Sequence, residues 1–169
     1  LSSVSAAIEA GIAYVPEDRK NLGLNLLDSI CTSIVSANLK AILTGRLLDS
    51  NKELQAAEKS RTDLLIKTSS VDAGVTTLSG GNQQKVVLGK WMFPEPEVLI
   101  LDEPTRGIDV GAKYEIYRLI HRMADQGKAV ILVSSELPEL LGMSDRIYTI
   151  CEGRITGEID SKDAHDNHI

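Results

Sequence analysis

Two short, uninterrupted apolar runs in the second half of the chain constrain its fold more than any other feature. The first, VLILD, spans residues 98–102, and the second, AVILVSS, spans residues 129–135. Runs of this kind are typical of parallel strands that helices cover on both faces. The stretch between them has a helical pattern from about Val110 to Gln126, and Gly127 then ends it. A strand, a helix and a second strand in this order predict an α/β fold.

The part of the chain before these strands is mostly helical in its periodicity. Apolar residues spaced three to five apart predict a helix over residues 27–46. Ser50 and Glu53 form the capping-box pattern that opens a helix, which we expect to run to about Lys67. A third helix is expected to end near Phe93, where the prolines of PEPE break the pattern.

These patterns predict a domain made of a sheet core and a helical insertion. We expect the core at residues 11–16 and 97–159, and the helical subdomain at about 25–93. Within the core, RIYTICEGRITGEI predicts a β-hairpin that turns at its Glu-Gly pair. The remaining residues, 160–169, form a polar tail that we expect to fray.

Composition excludes several classes of protein. With 169 residues, 43% hydrophobic and 25% charged, the chain has the composition of one globular domain or a piece of one. Its net charge of -6 argues against a nucleic-acid-binding protein, which usually has a basic excess. No apolar run approaches the ~20 residues that span a membrane. The chain begins without methionine, so we expect that the first residues of a longer protein are absent.

A glycine pair precedes the third predicted helix, in TLSGGNQQKVVLGKWM, residues 77–92. Free N–H groups at a helix start favour an anion, and the Ser79 hydroxyl adds another donor. Gly80 and Gly81 would let the backbone approach a phosphate without a clash from Cβ. For this motif taken alone, an ordinary serine cap with a glycine turn is the better interpretation.

Two acidic residues, Asp102 and Glu103, stand at the end of the first apolar run. Ligands of α/β sheets bind at the carboxyl ends of the strands. An aspartate there can hold Mg²⁺ through water, and the next glutamate can orient or deprotonate a water molecule. Taken alone, the pattern fits equally well a strand-end acid that caps the following turn.

The combination of LSGGNQQKV with LILDEPTRGID is far rarer than either motif, and it resembles the ABC ATPase family. Residues 78–82 resemble the LSGGQ signature of that family. Asp102 and Glu103 resemble its Walker B aspartate and catalytic glutamate, and RGID, residues 106–109, resembles its D-loop.

Two further segments extend the resemblance to nearly the whole chain. YVPEDRK, residues 14–20, resembles the Q-loop region, and VSSELPELLGMSDRI, residues 133–147, resembles the switch region. The motif sequences are similar to those of the second nucleotide-binding domain of tandem sugar-import ATPases of the ribose, xylose and galactose type. The chain would be the C-terminal part of such a domain.

The resemblance implies a P-loop NTPase-like fold with a partial parallel sheet, a helical signature subdomain and no Walker A strand. It implies ATP and Mg²⁺ as cofactors, with Asp102 holding the metal through water. The catalytic residues that it implies are Glu103, Ser135 and Glu136. The nucleotide-contacting residues that it implies are Ser79, Gly80, Gly81, Asn82, Gln83, Asp109 and Glu17.

The sequence departs from the family pattern in four places. No G-x-x-x-x-G-K-[ST] loop occurs, so residues 1–169 contain no cradle for the β and γ phosphates. Glu17 stands where most members have the Q-loop glutamine, and an ionised carboxylate cannot donate a hydrogen bond. Ser135 replaces the switch histidine, which leaves open whether this domain's own site hydrolyses ATP. Asn82 replaces the signature glutamine, a mild change because both are amides.

In the resembling fold, two ATPase domains meet head to tail, and the signature of one closes over the γ-phosphate bound by the other. The resemblance therefore implies a peripheral ATPase on the cytoplasmic face of the membrane that energises import of a monosaccharide. Its implied partners are a second ATPase domain, transmembrane permease subunits and, indirectly, a periplasmic or lipid-anchored sugar-binding protein, with no nucleic acid.

Two alternatives accompany this interpretation. The chain alone is expected to be inactive, and it could instead be a degenerate, non-catalytic module that only contributes signature contacts or regulates its partner. A chromosome-maintenance or repair ATPase is disfavoured, because the helical insertion is short and lacks heptads.

Overall fold

The computed structural model describes residues 2–161, which form six α-helices, seven strands and three shorter helical turns. The strands are β1 (Ile12–Val15), β2 (Leu43–Thr44), β3 (Leu47–Leu48), β4 (Val98–Asp102), β5 (Ala129–Val133), β6 (Arg146–Cys151) and β7 (Arg154–Asp160). The helices are α1 (Val4–Glu9), α2 (Ile30–Val35), α3 (Ser50–Asp63), α4 (Gly80–Met92), α5 (Val110–Asp125) and α6 (Leu137–Met143). The shorter turns are a π-helical turn, Arg19–Gly23, and the 3₁₀ turns Leu39–Ile42 and Val75–Thr77.

The core of the fold is a three-stranded parallel sheet in the order β1-β4-β5. Leu99 of β4 lies level with Ala13 on one side and Val130 on the other. This arrangement confirms the predicted parallel core, with the strands of the two apolar runs as neighbours. β5 ends at Val133, two residues earlier than the apolar run suggested.

One face of this sheet is covered much better than the other. Along β4 the side chains of Leu99 and Leu101 are buried, and they alternate with partly exposed ones. On the other face, Tyr14, Ile131 and Val133 are about half exposed. The expectation that both faces are buried is therefore wrong in these residues, because the helices α4 and α5 pack on one side of the sheet.

The long helix predicted over residues 27–46 is wrong. Ser29 caps α2, which ends after Val35, and a 3₁₀ turn then leads into the short antiparallel pair β2–β3. Gly45 makes the turn between these strands with a φ of 67°, a conformation that favours glycine. Of the apolar residues that suggested a helix, Ile34 and Ile42 are buried, from separate elements, whereas Leu27 and Leu39 are exposed.

The next helix, α3, begins and ends differently from the capping-box prediction. Its N-cap is Asp49, whose side chain accepts hydrogen bonds from the backbone N–H groups of Asn51 and Lys52. The helix ends at Asp63, not near Lys67. Aspartate and serine are both strong helix caps, and here the N-cap is Asp49, one residue before Ser50.

The helical elements share a hydrophobic core with the sheet. Residues of α2, α3 and α4 belong to one contiguous hydrophobic core with β1, β4 and α5. Two glycines allow the close approach: a Cβ on Gly89 would lie 3.1 Å from Leu64, and a Cβ on Gly23 would lie 3.1 Å from Val87. α4 therefore connects the helical insertion to the sheet. Residues 79–81, called the SGG segment below, lie at its start.

The last two strands form their own two-stranded sheet. β6 and β7 pair antiparallel, and Glu152 and Gly153 make the turn with φ values of 50° and 74°. Two positive φ values in succession are typical of the type I′ turn, so the predicted hairpin is confirmed. In the described part of the chain this hairpin does not pair with β5.

Two expectations concern the periphery of the molecule. The predicted polar tail, residues 160–169, lies outside the described residues except for Asp160 and Ser161. Among residues 2–161, no helix has both the length and the apolar character needed to cross a bilayer.

Candidate functional site

The hydroxyl group of the serine at the start of α4 accepts a hydrogen bond from a neighbouring side chain and keeps its own proton available for donation. Ser79 is exposed, and its Oγ accepts a hydrogen bond from Asn82 Nδ2 at 3.0 Å. The amide of Asn82 is itself held in place, because the backbone N–H of Lys67 donates to Asn82 Oδ1 at 2.8 Å. A hydroxyl has one proton and two lone pairs, so Ser79 can still donate to an external acceptor. Asn82, predicted as a nucleotide contact, therefore orients the serine.

The two glycines after Ser79 lie against neighbouring loops and helices. A Cβ on Gly80 would lie 2.9 Å from Arg19 Nη2, and a Cβ on Gly81 would lie 2.4 Å from the Cβ of Ala112 in α5. Side chains do not approach each other that closely. Close packing of α5 on the start of α4 thus requires glycine at position 81, independently of any ligand.

We expect the substitution Gly81→Ala to lower the free energy of unfolding by about 1–3 kcal/mol, because the new methyl group forces α4 and α5 apart. Gly142→Ala is the matched control. Gly142 lies in α6, and its Cβ would have no neighbour within 4 Å. That substitution should be neutral or stabilise the protein by up to about 1 kcal/mol. Denaturant unfolding of both variants tests the expectation, and equal stabilities would contradict it.

The predicted acids lie at the carboxyl end of β4, and each is held by a neighbouring element. Tyr14 in β1 donates its hydroxyl to Asp102 Oδ2 at 2.7 Å, which raises the pKa of the phenol. The backbone N–H of Ser135 donates to Glu103 Oε1 at 2.7 Å. Each contact engages one carboxylate oxygen and leaves the second for another partner. Asp102 and Glu103 thus lie beside Ser135 at this edge of the sheet.

Glu103 has an unusual backbone conformation. Its φ of 45° is in the left-handed region, which non-glycine residues rarely adopt. Glu103 follows the last residue of β4, and its N–H donates to the carbonyl oxygen of Val133 in β5 at 2.9 Å. Backbone strain of this kind clusters at functional sites.

The switch segment places Glu136 against α5. Lys113 Nζ donates to Glu136 Oε1 at 2.5 Å, and this hydrogen bond raises the pKa of Lys113. The ion pair is partly exposed, because the Glu136 side chain retains 47% of its accessible surface. Ser135 is exposed beside it. Glu136 is therefore already paired with a cation, and the motif did not predict this partner.

The D-loop segment is held by the segment that resembles the Q-loop. Arg106 pairs with Glu17, and Arg19 donates from Nη1 to the Arg106 carbonyl at 3.1 Å. Asp109 caps α5, where its Oδ1 accepts the N–H of Ala112 at 2.9 Å. Glu17 and Asp109, both predicted as nucleotide contacts, thus have structural partners of their own.

Gln83 is separated from the other predicted contacts. Its side chain is 7% exposed, and its amide Nε2 donates to the carbonyl oxygen of Val75 at 3.1 Å in the interior. We therefore leave Gln83 out of the set that faces a ligand.

The described residues provide few ligands for a metal ion. Within residues 2–161, no group of three or more His, Cys, Asp or Glu side chains could hold a metal. Mg²⁺ commonly uses one or two carboxylates together with phosphate oxygens and water. Asp102, with one oxygen not engaged by Tyr14, fits that mode of binding when a nucleotide supplies the phosphates.

The sequence patterns did not predict two buried polar clusters. Lys85 is 1% exposed, and its Nζ donates to Glu115 Oε2 at 2.7 Å and to the Leu65 carbonyl at 2.8 Å. In the second cluster, Thr105 donates to Glu139 Oε1 at 2.8 Å, with both residues buried. The partners are at least twenty residues apart in sequence, so only the tertiary structure pairs them.

The sequence profile described as "ABC transporter" matches residues 3–106, which include β1, the serine–glycine start of α4 and both acids of β4. The chain belongs to the ABC transporter family. The resemblance drawn from the motifs is thereby confirmed at the level of the family. The match covers most of the chain and includes both the SGG segment and the acid pair.

Curated members of the ABC family match nearly the whole chain. An L-arabinose transport ATP-binding protein of Geobacillus stearothermophilus is 57% identical over 164 residues, and a xylose import ATP-binding protein of Moorella thermoacetica is 56% identical over 163 residues. A ribose import ATP-binding protein of Streptomyces avermitilis is 48% identical over 166 residues. These matches cover 97%, 96% and 98% of this chain but 32% of each relative. The chain spans about a third of the length of these relatives.

Solved structures of ABC cassettes have the same fold. An ATP-binding cassette solved as a dimer in a post-hydrolysis state, bound to ADP and Pi, superposes with a TM-score of 0.78 at 18% identity. The superposition covers 95% of this chain and 68% of that one. A second dimeric structure of a bacterial ABC transporter cassette gives a TM-score of 0.76. The α/β class and the parallel sheet are thus those of ABC ATPases.

Proposed function

We propose that this chain is the part of an ABC ATPase that supplies the signature, Walker B, D-loop and switch segments to a composite ATP site, in a protein that energises monosaccharide import. The observation that carries the proposal is the identity of 48–57%, along nearly the whole chain, to ATP-binding proteins named for arabinose, xylose and ribose. In this proposal the SGG segment serves a nucleotide bound by a second ATPase domain.

The geometry at the start of α4 supports this role. The exposed Ser79 hydroxyl accepts from Asn82 and can donate its proton outward. The first N–H groups of the helix lie beside it, where the helix dipole favours an anion. A γ-phosphate oxygen has the charge and the acceptor capacity that these donors require.

The acid pair supports a role in hydrolysis. Glu103 keeps one oxygen on the Ser135 N–H, so its second oxygen can take a proton from an attacking water. Asp102 is oriented by Tyr14 and can hold Mg²⁺ through water. When bound with ATP, Mg²⁺ neutralises phosphate charge. The partners in this proposal are a second ATPase domain, membrane permease subunits and, indirectly, a sugar-binding protein, with the ATPase peripheral on the cytoplasmic face.

A second candidate function is a non-catalytic module that contributes only signature contacts. Two observations favour it: a serine stands at position 135, and Glu136 is paired with Lys113. In either case residues 1–169 without a phosphate cradle are expected to show no ATP hydrolysis of their own.

The test of the proposed function is sugar uptake by cells that carry the full-length protein with Ser79→Arg. The larger side chain would occupy the position of the γ-phosphate and remove the hydroxyl donor, so we expect uptake to fall by about tenfold or more. Ser3→Arg is the matched control. Ser3 is also an exposed serine cap, and it accepts the N–H of Ala6 at 3.1 Å in α1. Uptake unchanged in the Ser79 variant would mean that the SGG segment is only a helix start.

A further inference from the structure

The π-helical turn Arg19–Gly23 is fastened to α4. Gly23 packs against Val87, which is fully buried, and its carbonyl oxygen accepts a hydrogen bond from Lys90 Nζ at 2.9 Å. Asp18 caps the turn and accepts the N–H groups of Lys20 and Asn21, each at 3.1 Å. These contacts give the turn a fixed position on the helix that begins with the SGG segment.

The first residue of this turn reaches across to the D-loop. Arg19 Nη1 donates to the Arg106 carbonyl at 3.1 Å, and Nη2 donates to the Gly107 carbonyl at 3.4 Å. Gly107 has a φ of 66°, so the chain reverses at the point that Arg19 holds. A guanidinium group is a rigid fork, so two carbonyl groups on it have a fixed separation and direction.

The same guanidinium group lies against the start of α4. A Cβ on Gly80 would be 2.9 Å from Arg19 Nη2 and 3.6 Å from the Gly107 carbonyl oxygen. Arg19 therefore lies between the backbone of Gly80 and that of the D-loop. The Arg106 side chain forms an ion pair with Glu17, which is a second contact between the D-loop and the segment that contains Arg19.

We propose that Arg19 is a positioning residue that sets the spacing between the D-loop and the start of the signature helix. The proposal rests on the proposed function, in which both segments face a nucleotide held by a second ATPase domain. Arg19 does not itself touch that nucleotide. It acts through the backbone of Gly80 and Gly107, so that the Ser79 hydroxyl and the D-loop meet the nucleotide together.

The test uses the full-length protein with Arg19→Gln and Arg19→Lys. Glutamine has the reach for at most one carbonyl group, and lysine keeps the charge but lacks the fork. We expect kcat for ATP hydrolysis to fall by about tenfold or more for Arg19→Gln, because small displacements of positioned groups are costly. Arg19→Lys should restore only part of this loss. The equilibrium Kd for ATP should change by less than about twofold.

The matched control is Lys20→Gln, which removes a cation from the neighbouring exposed position of the same turn. It should leave kcat within about twofold of the unchanged protein. A purely structural role for Arg19 would instead weaken ATP binding and thermal stability together, and full rescue by lysine would show that only the charge matters. Either result would overturn the proposal.

A double-mutant cycle with Ser79→Ala separates this proposal from the proposed function. If Arg19 acts through the signature, the effects of Arg19→Gln and Ser79→Ala on kcat should be clearly less than additive. If Ser79→Ala lowers kcat and Arg19→Gln does not, the positioning role is wrong and the proposed function stands. If Ser79→Ala has no effect on kcat, the proposed function fails, and this inference fails with it.

Discussion

Replacing Glu115 with alanine is expected to lower the free energy of unfolding by about 3–5 kcal/mol, because it leaves the buried ammonium group of Lys85 without its counter-charge. Lys85 is 1% exposed and would keep only the Leu65 carbonyl as a hydrogen-bond partner. Denaturant unfolding monitored by circular dichroism measures the change. This loss is a large part of the ~5–15 kcal/mol that stabilises a typical domain.

Lys67→Ala is the matched control for this prediction. Lys67 contacts the same carboxylate at 3.1 Å, but its side chain is 72% exposed. Removal of such a surface pair usually costs about 0–1 kcal/mol. A loss below about 1 kcal/mol in Glu115→Ala would show that Lys85 does not depend on this partner for its charge.

The pH dependence gives a second readout of the same cluster. Hydrogen bonds from Lys85 and then from Lys67 lower the pKa of Glu115 below its ordinary value of 4.5. The contribution of the ionised carboxylate to stability is therefore fully present above about pH 4.5, and it is lost as the pH falls through the lower pKa of the folded state. In Glu115→Gln this part of the acid destabilisation should be absent.

The substitution Glu103→Gln should slow hydrolysis at this site by about 10²–10⁴-fold, the usual contribution of a general base. The amide oxygen of glutamine can still accept the Ser135 N–H, so the loop should keep its geometry while the basic oxygen is lost. Single-turnover hydrolysis by the full-length protein tests this, because the phase that belongs to this site should disappear. Binding of ATP, measured at equilibrium, should persist.

The same experiment separates the two candidate functions. If every hydrolysis phase is unchanged in Glu103→Gln while Ser79→Arg still abolishes uptake, the chain is the non-catalytic module that contributes signature contacts. If both substitutions are without effect, neither function holds. Ser135→His is an informative companion variant, because a gain in rate would indicate that the serine limits this site.

Local patterns in the sequence predicted much of the fold and of the candidate site. The apolar runs at 98–102 and 129–133 placed two neighbouring strands, and the serine before the glycine pair placed the cap of α4. The long helix predicted over residues 27–46 is wrong, because apolar spacing alone does not specify which element contributes each side chain. There the capping residues and Gly45, not the spacing, set the element boundaries.

What the sequence alone determined are the features that depend on near neighbours along the chain: strand–helix alternation, the start of α4, the hairpin turn and the motifs that define the family. What only the tertiary structure decided is which polar groups are free to act. Asn82 donates to Ser79 and so orients its hydroxyl group, and Gln83 is buried. Arg19 reaches the D-loop, and Glu115 neutralises Lys85. Each of the last two contacts joins residues at least thirty positions apart, so it exists only once the chain has closed on itself, and no local spacing encodes it.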